Sequence, residues 1–186
     1  MKRFLIIITA MLLVLGIASP LTAQANEGVV DERLGVPIIV YGADLSGTEK
    51  ESVKKSLKVA EEAEVEEILV SGSDLVKYIK DGNDKARMYS SAKITRQEAG
   101  KGLVISIVTE DNITQVTSEM YANAMLTAGI EDAIVEVAAP KKVTGHSALV
   151  GIYKAYEVTG ETLDTERTDV ANDELNLATK FNSSLA

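Results

Sequence analysis

Apolar residues recur along this chain in two alternating rhythms, short β-branched runs and longer stripes at helical spacing. Val36 to Tyr41 is the first run, VPIIVY, broken at Gly42; a short apolar run bounded by a turn residue predicts a strand. Thr48 with Glu51 forms a capping box, and Val53, Leu57 and Ala60 then recur at i, i+4, i+7, which predicts a helix. Glu61, Glu62, Glu64, Glu66 and Glu67 form an acidic, solvated connection to a second strand at Ile68 to Val70. A short helix follows through Leu75, Val76 and Ile79 and stops near Gly82. Met88 to Ile94 and Leu103 to Val108 are strand-like. The polar link between them, with Gly100 and Gly102, predicts an antiparallel pair, and the nearly all-apolar LVISIV predicts a strand at the centre of the sheet, covered on both faces.

From Ile113 the helical rhythm returns in Ile113, Val116, Met120 and Ala124, ended by Gly129 as a C-terminal cap. Ala133 to Val137 predicts a fifth strand. Leu149, Ile152, Tyr153 and Tyr156 mark an amphipathic helix up to Gly160, and a last helix runs over Thr165 to Phe181 with Ala171, Leu175 and Ala178 on one side. Asp169 and Asp173 repel at i, i+4 there, and the alanine-rich stripe predicts a weakly held element. The order β-α-β-α-β-β-α-β-α-α gives an α/β class, with α+β as the alternative, and a mixed sheet of about five strands with helices packed on it.

The first residues have a different character. Lys2 and Arg3 precede Phe4 to Ala18, an uncharged run that is short against the roughly 17–25 residues of a membrane span. Ala23-Gln24-Ala25 has small residues where signal peptidase needs them, so 1–25 reads as a signal peptide and 26–35 as a loose leader. An uncleaved N-terminal anchor is the competing reading. The α/β domain then covers 36–160 and the C-terminal helix 161–186. The expected setting is secreted or cell-envelope associated, touching the membrane only through the signal peptide.

Composition narrows the chemistry. The absence of cysteine excludes a disulfide scaffold, a lipidated cysteine, a zinc ribbon and a thiol enzyme. A formal charge of −9 argues against nucleic acid as a partner, since such proteins show a basic face. The partner expected instead is an envelope or extracellular ligand.

Particular strings also carry a resemblance: YGADL at 41–45, SSAKI at 90–94, NIT at 112–114, YANAMLTAGI at 121–130 and VTGHSALVGIYKAYE at 143–157. Over roughly Val36 to Leu175 the chain resembles the YpuA-like proteins of Gram-positive bacteria, a secreted family with a domain of unknown function. The resemblance implies export and no reaction. It also implies members that run on past this chain's last residue, leaving 161–186 with an incomplete packing context.

Against catalysis, Gly145-His146-Ser147-Ala148-Leu149 lacks the second glycine of a nucleophile elbow. The sole histidine, His146, adjoins Ser147, so their side chains diverge and no Ser-His-acid triad forms. A Ser147 nucleophile served by Lys141, Lys142 or Lys154 is the alternative enzyme reading, a secreted hydrolase. A helix cap made by Ser147 or Thr144 is the plainer one. The strands ending near Tyr41, Val70, Val108 and Ala138 each lead into a helix, so their ends should share one edge of the sheet, where ligands favour α/β proteins. Asp44, Ser46, Ser73, Asp74, Asp111, Asn112, Thr144 and Ser147 fall there. No cofactor motif is present. If Asp44, Asp74 and Asp111 converge, weak Ca²⁺ binding follows, with the remaining oxygens from carbonyls and water; otherwise each polar residue caps its own helix.

Overall fold

Among the described residues the alternation of runs and stripes resolves into one mixed sheet dressed by five helices. The structure is a computed structural model that describes residues 34–60 and 64–185; the expected signal peptide 1–25 and the expected leader up to residue 33 lie outside the described residues. In chain order the elements are β1 (Ile38–Gly42), α1 (Gly47–Ser56), β2 (Glu66–Val70), α2 (Gly72–Tyr78), β3 (Ser91–Arg96), β4 (Leu103–Ile107), a 3₁₀ turn at Glu110–Asn112, α3 (Ser118–Ala128), β5 (Ala133–Ala138), α4 (His146–Val158) and α5 (Thr165–Leu185). The order and the α/β class match the sequence reading. Gly129 closes α3 in the left-handed conformation, as its position after the stripe predicts.

The strands lie in the order β2-β1-β3-β5-β4. β1 pairs parallel with β2 and β5 parallel with β4, while β3 runs antiparallel between β1 and β5. β1, β2, β4 and β5 therefore all point one way, and their ends share an edge as helical crossovers require. Two expectations fail. β3 and β4 are not neighbours, because β5 lies between them; the polar link over residues 97–102 is long enough to pass over a strand, since six residues can reach about 20 Å. β4 is accordingly an edge strand, not the central one. Its odd positions, Leu103, Ile105 and Ile107, turn towards the helices, while Val104 and Ser106 turn to solvent.

Most of the core lies on the face covered by α2, α3, α4 and α5. Val40, Val70, Ala92, Ile94, Val135 and Val137 meet Leu149, Ile152 and Tyr153 of α4 there. Gly151 lets α4 come close, for a Cβ at that position would stand 3.1 Å from Val40 Cγ1. α5, expected to be weakly held, gives Ala171 and Leu175 to the same cluster and packs on α3. Among the described residues the opposite face carries only α1, whose Val53 and Leu57 cover Ile39, Tyr41 and Ala138. The acidic run ends inside β2, where Glu67 receives Lys50 at 3.1 Å, Lys54 at 3.2 Å and the Tyr41 hydroxyl at 3.3 Å, fixing α1 over the β1–β2 half.

Candidate functional site

At the shared strand edge several of the polar residues have a particular neighbour. After β1, the Asp44 carboxylate accepts the Met88 backbone N–H at 2.8 Å and so fastens the segment leading into β3. Helix α1 is capped two residues earlier than the sequence suggested. Ser46 and Glu49 make the box, with Ser46 N–H to Glu49 Oε2 at 2.9 Å, and Lys141 also binds Glu49. The hydrogen bonds from Lys141 and Ser46 pull Glu49 down to about 2. After β2, Asp74 Oδ2 accepts the Ser71 N–H and hydroxyl, each at 2.8 Å, while Oδ1 takes Lys154 Nζ at 2.7 Å. Burial opposes its charge, but these donors outweigh burial and hold the carboxyl below its ordinary value.

Asp111 is exposed in the 3₁₀ turn. Its neighbour Asn112 donates to the Ala139 carbonyl at 2.8 Å and accepts the Val143 N–H on its own carbonyl at 2.8 Å, joining the ends of β4 and β5. Among the described residues no three histidine, aspartate or glutamate side chains gather to hold a metal ion. Asp44, Asp74 and Asp111 therefore stand apart rather than forming the shared calcium set, with Asp44 and Asp74 spent on Met88 and on Ser71 and Lys154.

Helix α4 opens on Gly145, whose φ of 105° is open to glycine and strained for other residues. A Cβ there would also press to 2.7 Å from the Tyr121 hydroxyl oxygen, which donates to the Gly145 carbonyl at 2.6 Å. Neither Thr144 nor Ser147 caps this helix with its side chain. Thr144 is exposed and its carbonyl accepts the Val116 N–H. Ser147 reaches across to the lead-in of β3: its Oγ lies 2.5 Å from Ser90 Oγ and accepts the Ser90 N–H at 3.1 Å. Ser90 is fully buried, so this contact satisfies groups that water cannot reach.

His146 points elsewhere, into the wall between two adjoining cavities. One, of about 360 Å³, is bounded by Leu75, Arg87, Tyr89, Thr144 and Ser147. The other, of about 330 Å³, is bounded by Leu75, Ile79, Asp81, Asn172 and Asn176. Burial lowers the imidazole pKa and a hydrogen bond with Asn176 partly opposes this, so the ring is neutral at pH 7. Lys141 sits 3.8 Å over the Tyr89 ring while bound to Glu49, and Lys154 is held by Asp74. Both amines are engaged away from Ser147. The arrangement is a groove with a neutral imidazole, a guanidinium and an aromatic ring on its rim, suited to holding a ligand.

Residues 41–186 match the family described as Protein of unknown function (DUF1002). The chain belongs to this family. It is similar to "Uncharacterized protein YpuA" of Bacillus subtilis (strain 168), with 38% identity over 152 residues, 79% of this chain and 51% of the relative. The DUF1002 chain thus spans about half the length of that relative. No solved structure matches it. The family assignment agrees with the resemblance carried by the strings from YGADL to VTGHSALVGIYKAYE. What sequence reasoning missed in this DUF1002 domain is the set of distant partners, Ser90 for Ser147, Tyr121 for Gly145 and Asn176 for His146. Ser90 lies inside the SSAKI string, but nothing local marks it as a partner for a serine 57 positions away.

Proposed function

We propose that this chain is an exported, non-catalytic binding module of the cell envelope that holds an envelope or extracellular ligand in the groove around His146. The observation that carries the reading is the state of Ser147. Its hydroxyl is committed to a buried serine, the histidine beside it faces Asn176, and the amines of Lys141 and Lys154 are paired with carboxylates. A nucleophilic serine needs a base within hydrogen-bond reach, and the neighbours of Ser147 supply tethering instead. Arg87, Tyr89 and Thr144 on the open rim supply a cation, a stacking face and a hydroxyl, the mix that polar ligands use.

The test pairs labelling with binding. The chain should co-sediment with purified Gram-positive cell-wall sacculi, release no soluble fragments, and resist a fluorophosphonate probe at Ser147. Arg87→Ala with Tyr89→Ala should weaken sedimentation by about tenfold, equal to about 1.4 kcal/mol. Labelling of Ser147, or release of wall fragments that Ser147→Ala abolishes, would replace the binding module with the hydrolase reading.

A further inference from the structure

The two edges of the sheet are built differently. β2, at one edge, carries Glu66 and Glu67, with Glu64 just before it. Charges on an edge strand discourage pairing with another chain. β4, at the other edge, reads LVISI and has no charge or proline. Val104 on its outer face is 57% exposed, and its lateral neighbour on β5, Ile134, is 41% exposed. The backbone is open too. Gly102 accepts the Ala133 N–H and Val108 donates to the Val137 carbonyl, so the even positions spend their backbone groups on β5. In a parallel ladder the alternate residues, Leu103, Ile105 and Ile107, then direct theirs away from the sheet. Among the described residues no strand lies beyond β4.

We propose that this edge pairs with the same edge of a second copy of the chain, β4 against β4, antiparallel about a twofold axis at Ile105. The strand is self-complementary for that arrangement. Leu103 comes opposite Ile107 of the second copy, Ile105 opposite Ile105 and Ile107 opposite Leu103, so the outward-facing backbone groups meet as hydrogen-bonded pairs, about six bonds in all. Val104 comes beside Ser106 of the second copy on the bare face, and the apolar odd positions meet on the helical face. The flanks match in charge. Lys101 enters β4 and Glu110 and Asp111 leave it, all exposed. The axis brings each Lys101 level with Thr109 of the other copy, within side-chain reach of its Glu110 and Asp111. In the single chain Lys101 has a looser contact, Glu98 at 3.8 Å. The same patch serves both copies, so the contact closes at two.

The compact unit Asp31–Ala186 carries the whole sheet and both core clusters, and it is the sample for the test. Size-exclusion chromatography with light scattering, from roughly 1 to 100 µM, should show twice the chain mass, falling towards one on dilution. Val104→Lys, at a side chain already exposed, should give monomer with unchanged far-ultraviolet circular dichroism. Lys101→Glu should weaken association by about tenfold, and adding Glu110→Lys should recover it. Monomer throughout the range overturns the proposal. So does a dimer indifferent to both Val104→Lys and Lys101→Glu, and so do aggregates that grow with concentration instead of stopping at two copies.

Discussion

A buried hydroxyl with a partner and one without respond oppositely to removal, and this protein contains both. Tyr121 and Tyr153 are each fully buried. The Tyr121 hydroxyl donates to the Gly145 carbonyl, whereas that of Tyr153 has no hydrogen-bond partner among the described residues. Losing one member of a buried pair costs about 1–3 kcal/mol, while deleting an unsatisfied group relieves a desolvation cost. Tyr121→Phe should therefore lower the unfolding free energy by about 1–2 kcal/mol and Tyr153→Phe should leave it unchanged or raise it, by about 0–1 kcal/mol. Ser147→Ala belongs with Tyr121→Phe, because it strands the buried N–H of Ser90, whose hydroxyl keeps the Gly145 carbonyl at 3.3 Å. Urea titrations at constant m-value distinguish the two classes. At this scale the sequence was informative about type and position, placing Ser147 at a helix start, and silent about the partner, because hydrogen bonds between distant segments leave no local spacing to read.

Elements are tied to one another here by carboxylates at helix ends, and these ties make the fold sensitive to acid. Asp74 caps α2 through Ser71 and joins α2 to α4 through Lys154. Its carboxyl is held below its ordinary value in the folded chain, so the unfolded chain binds the proton more readily. The stability it contributes is complete above the unfolded value, about 3.9, and is lost as pH falls through the lower folded value. Asp74→Asn should cost about 1 kcal/mol at pH 7, as loss of a cap does, and should flatten the decline of stability between pH 5 and the acid limb. An undiminished acid slope in Asp74→Asn would assign the decline to other carboxylates. Element identity was readable because each strand-to-helix change alters the apolar period. Strand adjacency was not. Glycines between β3 and β4 look alike whether a link turns back at once or passes over β5, and the run LVISIV does not say whether its second face is covered; Ser106 is the one polar residue in it that faces the open side.

For the molecule as a whole, the placement of positive charge matters more than its amount. Lys50 and Lys54 bind Glu67, Lys77 binds Glu157, Lys93 binds Glu136, Arg96 binds Glu161, and Lys141 and Lys154 hold Glu49 and Asp74. These seven cations tie strand to strand, sheet to helix and helix to helix, and the chain as a whole keeps a formal charge of −9. Removal of the expected signal peptide would take Lys2 and Arg3 with it and make the charge more negative by two. An acidic surface of this kind is repelled by anionic lipid headgroups, so once separated from its apolar N-terminus the chain has no electrostatic reason to stay at a membrane. Among the described residues no helix is long and apolar enough to cross one. We predict cleavage after Ala25 from the short apolar run and the small residues before that bond. It falls ahead of Asp31, where the compact unit begins, and would leave the sheet, both core clusters and the groove around His146 complete. Protein recovered from the medium of a Gram-positive host should give Asn26 as its first residue by N-terminal sequencing, with an intact mass to match. Recovery only from the membrane fraction, with Met1 or Lys2 still in place, would make the segment an anchor instead of a cleaved signal peptide.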